Sequence, residues 1–446
     1  MKIYYETRCV AELLPTEQGA RLRYDPEWLA TKQAFAISLR MPLPKMRAGR
    51  DTDHEFTPDI VTPWIANLLP EGDALDAISR LMGTSQSDIL GILSRIGRDT
   101  SGALSFQEAG RTRMSYRLIE REDDLERMIN ELPARPLMAG EEGVSISLAG
   151  VQSKMGVFLD EDDRICIPTN GSPSNWILKP DSKLLWGSVW NEAFCMRLAA
   201  HAGLDVPQVR VGRAGDREYL LVKRYDRLSS KDGKIWRRLH QEDFAQAAGI
   251  FPQSKYERNQ TGRPGLKLTD MVDLTRRAAR QDIRKFISYV IFNTIACNPD
   301  AHAKNYSFLI SASGAKLSPI YDVMCGLVWS GINKNLVNSI NGKTDGNYLK
   351  ARHWQREARA CGLSPRILLS DVAELCDRVG SKLDATVEDL VALDPASRPM
   401  AEDCRKYIAQ RILYLKNGLR ETEERTSSSS DEEGEGSTPP STGFPT

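Results

Sequence analysis

Asn298-Pro299-Asp300-Ala301-His302-Ala303-Lys304-Asn305 lies between residues 282–297, whose amphipathic pattern reads as a helix, and residues 306–310, a β-rich run. An aspartate followed five residues later by an asparagine is a spacing at which one loop offers both a proton acceptor and an amide oxygen for a magnesium ion, as phosphoryl-transfer loops do. Such pairs also arise by chance, and this one alone fits a capped loop between a helix and a strand. The surrounding residues decide between the two.

Seventeen residues after Asn305, Leu317-Ser318-Pro319-Ile320-Tyr321-Asp322 sets a second carboxylate at the end of an expected short hairpin, 306–310 with 315–317. Asn305 and Asp322 together supply the hard oxygen donors that Mg²⁺ prefers, although Asp322 by itself also fits a strand-end or helix-cap carboxylate. Upstream, Lys179 ends Trp176-Ile177-Leu178, a buried-strand pattern in which a lysine needs an anion beside it. Glu192 follows on an expected helix, 189–202. A strand lysine paired with an acid on the next helix positions nucleotide phosphates in kinases; a lysine snorkelling to the surface is the plain alternative. Ser147-Leu148-Ala149-Gly150-Val151-Gln152-Ser153-Lys154 is a loop of small residues able to lay backbone N–H groups along phosphates, though it is neither G-x-x-x-x-G-K-[ST] nor G-x-G-x-x-G. Leu220-Leu221-Val222-Lys223-Arg224-Tyr225-Asp226-Arg227 reads as an extended linker between lobes that can offer backbone groups to an adenine. The order of these parts is harder to obtain by chance than any one of them.

The chain has 446 residues, 41% hydrophobic and 27% charged, with 60 Lys+Arg against 60 Asp+Glu, which excludes collagen-like and wholly disordered classes. The zero net charge hides an acidic end. Residues 421–446 hold seven acids and one base, so residues 1–420 carry +6, far below a nucleic-acid-binding signature. No apolar run reaches bilayer-spanning length and the first residues lack the apolar core of a signal peptide, so no membrane contact and a cytoplasmic location are expected. The eight cysteines are scattered without a C-x-x-C pair and read as buried free thiols rather than disulfide or zinc partners.

The fold class expected is α+β, a protein-kinase-like two-lobed fold with a sheet-rich N-lobe and an all-helical C-lobe, preceded by an N-terminal α+β subdomain and followed by a disordered acidic tail. Residues 1–110 form the subdomain, with β-rich runs at 2–5, 20–24 and 34–39, an Arg/Gly/Asp-rich loop near 45–56, and helical patterns opening at Thr62-Pro63 and covering 74–82 and 87–96. Residues 111–225 form the N-lobe, with a helix at 122–132 and strands at 156–159, 165–167, 175–178, 209–211 and 219–222. Residues 226–425 form the C-lobe, mostly helical with the β interlude noted above, and 426–446 the Ser/acidic tail.

With these parts in order, the chain resembles the HipA-type serine/threonine kinase toxins of bacterial toxin–antitoxin modules. The likeness extends over most of residues 1–420. It includes Asn67-Leu68-Leu69-Pro70-Glu71, Gly97 to Leu104, Ser147 to Lys154, Asn191-Glu192, Ala202-Gly203-Leu204, Arg224 to Arg227, Leu239-His240-Gln241-Glu242-Asp243, Asp300 to Asn305 and Tyr321-Asp322. The resemblance implies an ATP- and Mg²⁺-dependent protein kinase whose N-terminal subdomain helps dock a helix-turn-helix antitoxin of the HipB type, which in turn holds operator DNA. It implies a target in translation, an aminoacyl-tRNA synthetase such as the glutamyl enzyme, and growth arrest with persistence. By motif, Asp300 is the catalytic base, His302 and Lys304 match the family's catalytic positions in the same loop, with a purely bracing role also open for His302, and Asn305 and Asp322 are the metal ligands. Leu148, Ala149, Gly150, Val151 and Gln152 form the phosphate loop, Lys179 meets the α- and β-phosphates, and Lys223, Tyr225 and Gln241 line the nucleotide site. Ser147 is the autophosphorylated serine, a modification that expels the phosphate loop. Pro299 departs from relatives that carry Thr or Asn there, and the acidic tail is outside the family pattern. Two other functions remain open from the residues: a small-molecule kinase of the aminoglycoside or choline type, and a catalytically silent co-repressor subunit.

Overall fold

The computed structural model describes residues 1–44, 55–107, 114–141, 143–230 and 236–430, with backbone only for 421–430. Most of the Arg/Gly/Asp-rich loop lies outside the described residues. The chain opens with an antiparallel five-stranded sheet whose order is Glu55–Phe56, Gly19–Tyr24, Arg8–Thr16, Lys2–Tyr5, Leu104–Ser105. Period-2 alternation turns Ala20, Leu22 and Tyr24 inward. Helices Pro58–Ala66, Asp73–Met82 and Ile89–Ile96 complete this part. The first of them starts before the expected Thr62-Pro63, because Pro58 stands in its first turn, where a missing N–H costs nothing.

A second antiparallel sheet builds the first lobe in the order Val209–Ala214, Arg217–Lys223, Trp176–Pro180, Met155–Leu159, Ile165–Thr169, Ser115–Leu118. Helix Glu122–Glu131 covers its outer face through Leu125 and Ile129, which share a core with Val157, Trp176 and Leu178. Helix Ser188–His201 is buried on nearly all sides, as expected for a helix enclosed by its neighbours. The second lobe is built on helices Phe244–Ala248, Leu268–Ala278, Ile283–Ile295, Ala351–Ala360, Pro365–Gly380, Leu383–Leu393 and Arg398–Ser430. It is not all-helical. Strands His240–Asp243, Ser307–Ser311 and Gly314–Leu317 form a small sheet beside the loop at 298–305. The final helix runs through Ser430, into the segment expected to be an unstructured tail, since adding turns to a helix already formed costs little; residues 431–446 lie outside the described residues. Among the described residues no helix is long and apolar enough to cross a membrane, and all eight cysteines are free thiols.

Residues 34–39, expected as a strand, form a loop, and Arg8–Thr16 takes the place in the sheet instead. The apolar loop is satisfied by the second lobe and by the N-terminal sheet. His240 Nε2 meets Ile37 O at 2.7 Å, Leu39 N–H donates to Glu242 Oε1 at 2.7 Å, and the Tyr24 hydroxyl accepts from Ile37 N at 2.8 Å. Burial pushes the Glu242 carboxyl up to about 8. Between the ordinary carboxylate range and that value the folded chain holds a proton that the unfolded chain has lost. The associated stability is complete below the unfolded pKa and disappears as pH rises through about 8. Glu242→Gln should therefore match wild type in thermal midpoint near pH 5 and exceed it near pH 8. A gap that does not change with pH would show that Glu242 is ionised in the fold.

Candidate active site

The sheet of the first lobe, the helices of the second and the segment 67–74 enclose a cavity of about 770 Å³. Alternation along Trp176–Pro180 sends Trp176 and Leu178 into the outer core and leaves Ile177 and Lys179 on the cavity wall. Lys179 Nζ lies 2.7 Å from Glu192 Oε1 and 2.7 Å from Asp322 Oδ1. Burial disfavours the lysine's charge, but Asp322 and Glu192 outweigh it and hold its pKa above the ordinary value. Burial likewise works against an ionised Asp322, and Lys179 and Lys154 overcome it, holding the carboxyl below the usual range. Asp322 adopts the left-handed conformation, φ 60°, uncommon outside glycine. Lys179 therefore remains cationic and Asp322 anionic without a ligand.

The loop at 298–305 is shaped by its own polar side chains. Asn298 Oδ1 accepts the Asp300 N–H at 3.0 Å, and the Asp300 carbonyl accepts from His302 N and from Asn305 Nδ2, both at 2.7 Å. Asn305 thus commits its nitrogen and keeps its oxygen for a ligand. The Tyr256 hydroxyl donates to Asp300 Oδ1 at 2.6 Å. The Asp300 side chain is 45% exposed toward the cavity, yet the concave walls desolvate it and push its pKa up to about 6, against the pull of the Tyr256 hydrogen bond. His302 is neutral, its pKa pushed down to about 3 by burial and then by Lys255. Lys304 Nζ donates to Asn67 O at 3.0 Å, Asn67 Oδ1 at 2.8 Å and Asp243 Oδ2 at 2.9 Å, which occupies its three protons. Asp243 also caps helix Phe244–Ala248 through Gln246 N at 2.8 Å, so one cap residue ties the helix to the loop.

Leu148, Ala149, Gly150, Val151 and Gln152 line the opposite wall. Lys154 Nζ donates to Ala149 O at 2.7 Å and holds this loop closed. Burial lowers Lys154 to about 8, opposed by Asp322. Gly150 has φ 107°, and a Cβ there would lie 2.7 Å from that ammonium group. At the back of the cavity Lys223 donates its N–H to Gln208 O at 2.9 Å, Tyr225 stacks on Tyr321 with ring centroids 5.5 Å apart, and the Tyr225 hydroxyl meets Gln241. The residues expected at the site therefore share one cavity, apart from Ser147. It is fully buried outside the cavity wall, its hydroxyl donating to Leu68 O at 2.6 Å.

Sequence reading assigned no role to Tyr256, Asn67 or Glu71. Asn67 and Glu71 stand within a quoted motif, whereas nothing in Ser254-Lys255-Tyr256 marks Tyr256. Among the described residues no group of three His, Cys, Asp or Glu side chains is arranged to hold a metal.

Two family descriptions match this chain, "HipA N-terminal domain" over residues 1–107 and "HipA-like C-terminal domain" over residues 146–383. A Sinorhizobium fredii protein named "Putative kinase Y4mE" is 32% identical over 400 residues, 87% of this chain and 92% of the relative. The serine/threonine-protein kinase toxin HipA of Shewanella oneidensis is 27% identical over 408 residues, 88% of each chain. A chain in the solved complex of Shewanella oneidensis HipA, HipB and operator DNA superposes with a TM-score of 0.81 at 24% identity, covering 95% of this chain and 99% of that one, a likeness of fold.

Proposed function

The chain belongs to the HipA family of serine/threonine kinase toxins, and on that premise we propose that it transfers the γ-phosphoryl group of ATP to a serine or threonine hydroxyl of a protein. The observation that carries this reading is Lys179, 2.7 Å from both Glu192 and Asp322, in the same cavity as Asp300. In this reading Asp300 accepts the proton of the attacking hydroxyl. Lys179 holds the α- and β-phosphates, and the backbone of residues 148–152 lies along the phosphate chain. The backbones of Lys223 and Tyr225, with Gln241 beside them, hold the adenine. His302 and Lys304 brace the loop: one is neutral and buried, the other has its protons fully engaged. Asn305, with its oxygen uncommitted, and Asp322, held ionised, fit a magnesium ion. Such an ion, when bound, neutralises charge on the phosphate oxygens.

The acceptor in this reading is a translation component, an aminoacyl-tRNA synthetase such as the glutamyl enzyme, and its modification arrests growth. A helix-turn-helix antitoxin of the HipB type, and operator DNA through it, are the proposed partners, as in the complex of the Shewanella relative. Ser147 is proposed as the self-modified residue. A phosphate on its hydroxyl removes the proton that Leu68 O now accepts and adds close to two negative charges in a site with no exposed surface, so the loop beyond it has to leave. Full-length wild type and Ser147→Ala incubated with labelled Mg-ATP test this. Label on Ser147, with ATP binding falling as it accumulates and Ser147→Ala retaining it, is the expected result. Absence of both label and ATP binding in an initially unphosphorylated sample would overturn the kinase reading.

A further inference from the structure

The segment 67–71 of the N-terminal part reaches both lobes at the cavity. Asn67 donates its side-chain nitrogen to Pro63 O at 2.9 Å and Ile250 O at 2.8 Å, which leaves both of its oxygens for Lys304. Leu68 O holds Ser147, and Glu71 N–H donates to Gly150 O at 3.3 Å. The Glu71 side chain then crosses to the second lobe, where Oε2 pairs with Lys255 Nζ at 2.8 Å. Lys255 and its neighbour grip the catalytic loop from outside. The Lys255 carbonyl accepts the Ala303 N–H at 3.2 Å, Tyr256 donates to Asp300 at 2.6 Å, and the Tyr256 ring stands edge-on to His302 with centroids 5.0 Å apart.

Glu71 is more than a packing carboxylate. Its Oε1 is buried on the cavity wall with no hydrogen-bond partner, 4.0 Å from Lys304 Nζ. Buried polar atoms kept for stability alone are nearly always satisfied, and a half-satisfied carboxylate is a poor stabiliser. Such a group persists where it is needed for something else. We propose that Glu71 is a positioning residue for phosphoryl transfer, acting on Asp300 through Lys255 and Tyr256, so that the N-terminal part completes the catalytic centre. This rests on the kinase reading above. It gives the N-terminal part a role in turnover distinct from partner docking.

The test uses the full chain and reads incorporation of label from ATP into the protein itself. Glu71→Gln keeps shape and removes charge. It should lower the maximal rate about 10- to 100-fold, the range expected for small misplacements of a reacting group. The half-saturating ATP concentration should stay near wild type; the thermal midpoint should fall, because the buried pair with Lys255 loses its anion, so rates are compared at a temperature where every variant is folded. Lys255→Gln should lose a similar factor, and the double variant should be no worse than either single one, because both break one link. Tyr256→Phe removes only a hydroxyl and tests the last link even if a charge change at Glu71 disturbs folding; its rate should fall comparably. Full activity in Glu71→Gln or Tyr256→Phe, a loss accounted for by weaker ATP binding, or losses that multiply in the double variant would overturn the proposal. Wild type that binds ATP but takes up no label would instead count against the kinase reading on which it rests.

Discussion

Asp300→Ala should reduce phosphoryl transfer by about 10²- to 10⁴-fold, the usual contribution of a positioned proton acceptor. The fold should be unaffected: the side chain is 45% exposed to the cavity, and its removal opens no hole in the apolar core. On the proposed mechanism, what is lost is the group that takes the hydroxyl proton as the new bond to phosphorus forms. ATP binding should survive, since Lys179, Glu192 and Asp322 form their own ion-pair set. Label transfer and nucleotide titration on one preparation separate the two properties. A variant that still transfers phosphate at the wild-type rate would remove Asp300 from the mechanism.

The second large effect is on stability. Asp99 is buried with three arginines: Oδ1 receives Arg227 Nη2 at 2.7 Å and Arg238 Nε at 3.1 Å, while Oδ2 receives Ser174 Oγ at 2.7 Å and lies 3.4 Å from Arg224 Nη1. Asp226 is the other acid of the cluster, 2.8 Å from Arg224 and 2.9 Å from Arg227. Cations already outnumber anions there. Burial, followed by repulsion from Arg224, brings the Arg227 pKa down to about 10. Asp99→Asn keeps most of the shape and removes the charge that three guanidinium groups share. By analogy with buried pairs that lose one partner, it should cost about 3–5 kcal/mol, read as a lower urea midpoint. A cost below about 1 kcal/mol, the value of an exposed pair, would mean that water reaches the cluster.

The residues that meet at the cavity were legible because their signals are local. Alternation in Trp176–Pro180 alone turns Lys179 inward, and Asp300 and Asn305 sit in one short loop, so neither needs distant contacts to be noticed. The contacts of Glu71 were not legible, because Lys255 lies 184 residues away and no periodicity links them. The loop at 34–39 misled for a related reason. Its apolar β-formers pack against His240 and Glu242, and propensity cannot distinguish burial under a neighbouring lobe from burial in a sheet. The pattern Arg224-Tyr225-Asp226-Arg227 stood out by resemblance, but its physical purpose emerged only when Asp99 was found inside it.

That cluster also sets a clock on synthesis. Asp99 and Arg238 are 139 positions apart, and at ordinary ribosomal speeds of about 5–20 residues per second the arginine is made roughly 7 to 28 s after the aspartate. During that interval Asp99 lacks the Arg238 guanidinium that it meets at 3.1 Å in the finished fold. The cavity cannot be completed while the N-terminal part is the only portion outside the ribosome, because Lys179, Asp300 and Asp322, made later, line it together with Asn67 and Glu71.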